Sequence, residues 1–343
     1  MKTTYLLCTA VATMTLLASC STTQTATSAM SDTTVTGIHQ SPETWTPVAE
    51  IDFSAKSNVL IQNPDGSYTP MPVPYYKSEL VAPGTWKIVG DGDYCYLVEG
   101  ENEAIMIDCG YGAGNIRSYA QSLTDKPVTS VINTHYHFDH TANDAYFDMA
   151  YMTEYTEQYA TIPYPSFDGV SFPRDYPVTI VHEGDTLDLG GRTLEFFELG
   201  NHTPGGLAML DATNGILFSG DEIMPPLRLT ISVAKEKAYL EKLEARRSDF
   251  TMICAGVGVL DASVLDDAYA LLSGVLDGSI VGTALQTGGS AYQNNTVSDV
   301  DGKTVYIRQR VRPEDRDTSG GTTATVQAKL GSVTLTYDPS NIN

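Results

Sequence analysis

An apolar run, Val128 to Ile132, leads directly into Thr134-His135-Tyr136-His137-Phe138-Asp139-His140, which sets four potential metal ligands within six positions. The run reads as a buried strand. The tight loop behind it then presents three imidazoles and a carboxylate at one sheet edge. Crowding such groups costs strain and desolvation, which a bound cation offsets. Imidazole together with carboxylate suits zinc and its neighbours among the transition metals.

Three further motifs surround the cluster. Asp108-Cys109-Gly110 lies upstream. Asn201-His202-Thr203-Pro204-Gly205 follows a strand-like run, Leu194 to Leu199, and Ser219-Gly220-Asp221 ends another, Ile216 to Phe218. Each of these three is weakly specific alone; their order and spacing strengthen the first. On these residues, over about positions 80 to 275, the chain resembles the metallo-β-lactamase superfamily of metal-dependent hydrolases. The resemblance implies an α/β (α+β) fold, a four-layer αββα sandwich of two mixed sheets with outer helices. It also implies the ligands: His135, His137 and His202 for a first ion, Asp139 and His140 toward a second, and Asp221 bridging the two. The expected cofactor is Zn2+. Asp221 is similar to the bridging residue of the glyoxalase-II-like and lactonase-like branches. The zinc β-lactamases carry another residue type there, which tilts the reading away from antibiotic hydrolysis.

The chain departs from the family pattern at one place. Members usually carry a further histidine after the next helix and strand, in a P-G-H-G-like turn. The matching stretch here is Cys254-Ala255-Gly256-Val257-Gly258, and Val257 occupies the histidine's place. Valine cannot ligate a metal, so one firmly held ion and a weak or absent second are expected. Water held on such an ion loses its proton near neutral pH and becomes a hydroxide nucleophile. Asp139 is the expected catalytic residue, orienting the attacking water or accepting its proton. The expected reaction is hydrolysis of an ester, thioester, lactone or amide carbonyl in a small molecule. Tyr111 and Tyr136 flank the presumed metal loops and are candidate substrate contacts. Arg228 pairs with a substrate carboxylate or is a surface charge. His39 and His182 are not assigned to the metals. Two alternatives stay open: a non-catalytic metal-binding surface lipoprotein, in which Val257 marks lost chemistry, and a phosphodiesterase acting on small substrates.

With 42 acidic against 20 basic residues the net charge is −22, which repels phosphate backbones and argues against nucleic acid as a partner. The first residues read as an export signal: Lys2, then an apolar segment from Tyr5 to Leu17, too short and Thr-rich for a spanning helix. It ends in Leu17-Ala18-Ser19-Cys20, which looks like a bacterial lipoprotein signal. That implies cleavage before Cys20, lipidation of Cys20, and a membrane anchor at the cell envelope, on the outer membrane or cell surface. Cys95 and Cys109 fall nearly opposite one another in a predicted hairpin. A cross-strand disulfide is possible in an oxidising compartment, but two buried free thiols are the preferred reading.

Four regions are expected: a signal peptide at 1–19, a Ser/Thr-rich tether at 20–45, the metallo-β-lactamase-fold domain at 46–280, and a β-rich C-terminal appendage at 281–343. Strands are predicted at 86–89, 94–98, 104–108, 128–133, 178–181, 194–199, 207–210, 216–218 and 251–254. Helices are predicted at 115–123, 140 to about 159, 234–247 and 263–276. Residues 160–178, rich in Pro and aromatics, read as a long loop able to rim a site. In the C-terminal part, strands are predicted at 304–311, 323–328 and 332–337.

Overall fold

The computed structural model describes residues 76–90, 93–110, 115–160, 176–284 and 325–343. It adds the backbone strands His39–Gln40, Val59–Gln62, Tyr68–Pro70, Val170–Ser171, Tyr292–Val300 and Lys303–Arg310. The expected signal peptide, Cys20, most of the tether, Tyr111 and most of the Pro- and aromatic-rich loop lie outside the described residues.

Two sheets carry the fold. The first contains β1 (Tyr76–Ala82), β2 (Thr85–Gly90), β3 (Asp93–Glu99), β4 (Ala104–Ile107), β5 (Val128–Ile132), β6 (Met149–Met152) and β7 (Val178–Ile180), in the order β7-β6-β5-β4-β3-β2-β1. Pairing is antiparallel from β1 to β4 and parallel from β4 to β7. The second contains β8 (Thr186–Asp188), β9 (Thr193–Glu198), β10 (Leu207–Asp211), β11 (Ile216–Gly220), β13 (Met252–Ala255) and β14 (Gly258–Asp261), in the order β8-β9-β10-β11-β13-β14. Only β11 and β13 run parallel there. A parallel neighbour needs a crossover, and helix α4 (Val233–Glu244) supplies it.

The layers follow from the two-residue period of strand side chains. Tyr96, Val98, Ile105, Ile107 and Ile132 of the first sheet meet Phe196, Met209, Phe218 and Cys254 of the second. The alternate residues Leu97, Met106 and Val131 face outward onto Ile116 and Ala120 of α1 (Ile116–Gln121), and onto Tyr146 and Phe147. Leu210, Leu217 and Ile253 face outward onto Leu240 and Leu243 of α4 and onto Leu265 and Leu272 of α5 (Ser263–Leu276). The architecture is therefore the expected αββα sandwich. Central strands such as β4 and β10 are buried along their whole length, which explains their unbroken apolar sequence.

The predicted helix over 140–159 is not one helix. The segment forms α2 (Phe138–Thr141), a 3-10 turn at Asp144–Tyr146, the strand β6 and then α3 (Glu154–Tyr159). The strand is imposed by its parallel neighbour: Ser130, Val131 and Ile132 pair with Met149, Ala150 and Tyr151. Thr153 then caps α3 by accepting from the Thr156 N–H. Cys95 and Cys109 are free and buried, as preferred. Pairing of Tyr96 with Ile107 offsets the two cysteines by one position.

The last described strands join the main core. β16 (Val326–Leu330) and β17 (Val333–Tyr337) form a hairpin flanked by β12 (Leu227–Arg228) and β15 (Thr283–Ala284). Ala328, Val333, Leu335 and Tyr337 are buried in the same apolar layer as α4 and α5. This part of the C-terminal region thus shares the sandwich's core.

Candidate metal centre

Four chain segments converge at one end of the sandwich. β4 leads into Asp108, which turns in the left-handed region with φ 58°. Its carboxylate then accepts from the Thr134 N–H and the Thr134 hydroxyl, both at 2.8 Å, and meets His140 Nδ1 at 2.8 Å. The D-C-G turn therefore fastens the loop after β5. Thr134 Oγ1 stands 3.1 Å from His135 Nδ1, and Thr134 O accepts from Leu207 N at 2.7 Å, tying the loop to the second sheet. Gly220, with φ 49°, sits where a β-carbon would strike Thr134. Gly256 lies so close to the Asp221 carboxylate that any side chain there would displace it.

His202 arrives on the loop between β9 and β10. Glu222, 3% exposed, holds that loop by accepting from three consecutive backbone N–H groups: Asn201 at 2.9 Å, His202 at 3.2 Å and Thr203 at 3.3 Å. Sequence reasoning passed over Glu222. Its only local signal was a second acid directly after Asp221.

The imidazoles close into one cluster. Ring centroids are 4.6 Å apart for His135 and His137, 4.7 Å for His137 and His202, and 4.8 Å for His135 and His202. Nitrogens of these three lie within 4.8 Å of one another, and a second set of the same compactness joins His135, His140 and Asp221. His140 Nε2 lies 3.6 Å from Asp221 Oδ1 and 3.7 Å from Asp139 Oδ2, while His202 Nε2 is 3.4 Å from Asp221 Oδ2. Among the described residues the buried His135 Nε2 atom has no hydrogen-bond partner. A buried ring nitrogen without a hydrogen-bond partner, close to two other imidazoles, fits a metal-ligand role.

The charges agree with that fit. Burial holds His135 well below its ordinary range, reinforced by His140, His137 and His202. Burial also lowers His137, to about 4, and His202. These three are therefore neutral at pH 7, the state that binds metal. His140 differs: burial pulls its pKa down, but the carboxylates of Asp108, Asp221 and Asp139 outweigh it and hold the ring protonated well above its usual range. Burial opposes ionisation of Asp221, yet His140, His202 and His137 keep its pKa below the usual value. Neutral imidazoles with carboxylate oxygens form a donor set suited to zinc.

Of the expected ligands, His135, His137, His202, His140 and Asp221 fall into these two sets. Asp139 belongs to neither; its carboxylate stands beside His140 with its side chain 40% exposed. Tyr136 packs 4.8 Å from the His137 ring and near Tyr155 and Tyr159. Val257, 43% exposed, lines the cavity beside His202 and Asp221. His182 is exposed, 3.9 Å from Glu198 and away from the cluster.

Residues 89–257, just under half of the chain, match the metallo-beta-lactamase superfamily. Over 160 residues the chain is 26% identical to "Acyl-coenzyme A thioesterase MBLAC2" of Homo sapiens, covering 37% of this chain and 57% of that protein. It is 31% identical over 144 residues to "Uncharacterized protein YobT" of Bacillus subtilis (strain 168), covering 37% of this chain and 60% of that one. The chain thus spans about three fifths of the length of these relatives. Among solved structures, the "Metallo-beta-lactamase from Pontibacter korlensis" superposes with a TM-score of 0.47 at 18% identity, covering 58% of this chain and 99% of that one. The likeness to the metallo-beta-lactamase superfamily is carried by residues 89–257, the stretch that holds all six candidate ligands.

Proposed function

We propose that this protein is a metal-dependent hydrolase acting on a small-molecule carbonyl compound, with esters and thioesters the first candidates. The observation that supports it most is the convergence of His135, His137 and His202 around the unpartnered Nε2 of His135. The thioester emphasis comes from the thioesterase named among the relatives. His135, His137 and His202 would hold a zinc ion, and Asp221 and His140 lie in the adjoining set that shares His135. When bound, zinc supplies Lewis acidity to the carbonyl oxygen and lowers the pKa of water in the site. The chain's own residues do the rest. Burial keeps the three imidazoles deprotonated. Asp108 orients His140 through Nδ1, and Thr134 braces His135. Asp139, partly open to solvent beside His140, would take a proton from the attacking water. Val257 offers no donor, so a second ion would rest on Asp139, His140 and Asp221 and be held weakly.

A second reading, a metal-holding protein without turnover, draws on the same Val257. The two separate in one experiment. Purified protein supplied with zinc is tested against chromogenic esters, thioesters, lactones, cephalosporins and phosphodiesters. Turnover of a carbonyl substrate, stopped by a chelator and abolished by His137→Ala, is expected. Turnover that survives His137→Ala contradicts the proposed site; bound zinc without turnover of any substrate supports the non-catalytic reading.

A further inference from the structure

Beside His202 and Asp221 opens a cavity of about 280 Å³. Met224, Pro226, Leu227 and Val257 give it apolar surface, and Arg228 stands at its edge, exposed. The backbone there is fixed. Arg228 pairs in the ladder with Thr336, its carbonyl accepts from Asn201 Nδ2 at 3.3 Å, and Leu229 N donates to Thr336 O at 2.9 Å. Arg117, Arg192, Arg246 and Arg247 each pair with a carboxylate. Arg228 has no such pair among the described residues, in a chain of net charge −22. A free guanidinium at the mouth of an otherwise acidic molecule's cavity draws anions. Its planar fork matches the paired oxygens of carboxylate or phosphate. The apolar wall and the modest volume, near the lower end of about 300–1,000 Å³ for ligand cavities, suit a short acyl chain.

We infer that the substrate is a short-chain ester or thioester carrying an anionic group, and that Arg228 is the residue that selects it. This rests on the hydrolase reading above, and the two are separable by experiment. The full-length, zinc-supplied protein and Arg228→Gln and Arg228→Lys variants are assayed on three thioesters. These are butanoyl-N-acetylcysteamine, which is neutral, glutaryl-N-acetylcysteamine, with a carboxylate on the acyl side, and butanoyl-phosphopantetheine, with a phosphate on the thiol side. Calorimetry with glutarate monoamide and with glutaramide measures binding independently of turnover. One anionic thioester is expected to exceed the neutral one in kcat/KM by about fivefold or more. That ratio should collapse in Arg228→Gln, recover in part in Arg228→Lys, and shrink with added salt. Which anionic thioester wins identifies carboxylate or phosphate as the group recognised. Turnover without an anion preference, or with a preference that Arg228→Gln leaves intact, overturns the inference and leaves the hydrolase reading standing. Absent turnover with Arg228-dependent binding of the monoamide preserves the pocket and removes the hydrolase. Absent turnover with equal binding of both amides removes both.

Discussion

Glu222, outside the candidate ligand set, holds the loop that carries His202. Its carboxylate gathers three consecutive N–H groups of the loop that delivers His202. Burial pushes its pKa up to about 7 against those three donors. Glu222→Ala strands buried donors and frees the loop. We expect zinc affinity, read by competition with a chromogenic chelator, to fall about 10–100-fold, with Glu222→Gln intermediate. Unchanged affinity in both variants would make Glu222 a packing residue only. Val257 offers the complementary gain. Val257→His adds an imidazole beside Asp221 and is expected to add a second tightly held ion; no gain would mean that the family's last histidine maps elsewhere. The candidate cluster His135, His137, Asp139 and His140 stands out in the sequence because metal-capable side chains crowd within a few positions, whereas His202 and Asp221 are picked out only by motif order and resemblance. Asp108 is marked only as part of the D-C-G motif, without its anchoring role, and Glu222 not at all, since a carboxylate that grips backbone N–H groups leaves no residue pattern.

At the scale of elements, α4 carries a titratable group into the apolar layer. Glu236 is buried, and burial, followed by the charge of Glu222, pushes its pKa up to about 8 from the ordinary 4.5. Between those two values the folded chain keeps a proton that the unfolded chain releases. Stability from this group is therefore full below about pH 4.5 and is lost as pH rises through 8. Glu236→Gln removes that loss. Its unfolding free energy at pH 8.5 is expected to exceed wild type by roughly 2–4 kcal/mol, with the difference shrinking toward pH 5. Parallel pH profiles for the two proteins would contradict it. Elements were read unevenly from sequence. α5 follows its amphipathic pattern at the predicted positions, 263–276. β6 did not read as a strand, because its four residues become one only by pairing with β5 across the intervening turn, a non-local force that periodicity does not register.

For the molecule as a whole, the two sheets bring the ends of β4, β5, β9 and β11 to a single edge, so ligands distant in the chain share one centre. The net charge of −22 is the ground for expecting no nucleic-acid partner. Everything functional rests on three imidazoles holding one cation. The most direct measurement is the zinc retained per chain after mild dialysis, in wild type and in His202→Ala. Nearer one equivalent than two is expected in the folded wild type and close to none in the variant. A folded wild type that retains no zinc, or a variant that retains as much as wild type, would contradict it.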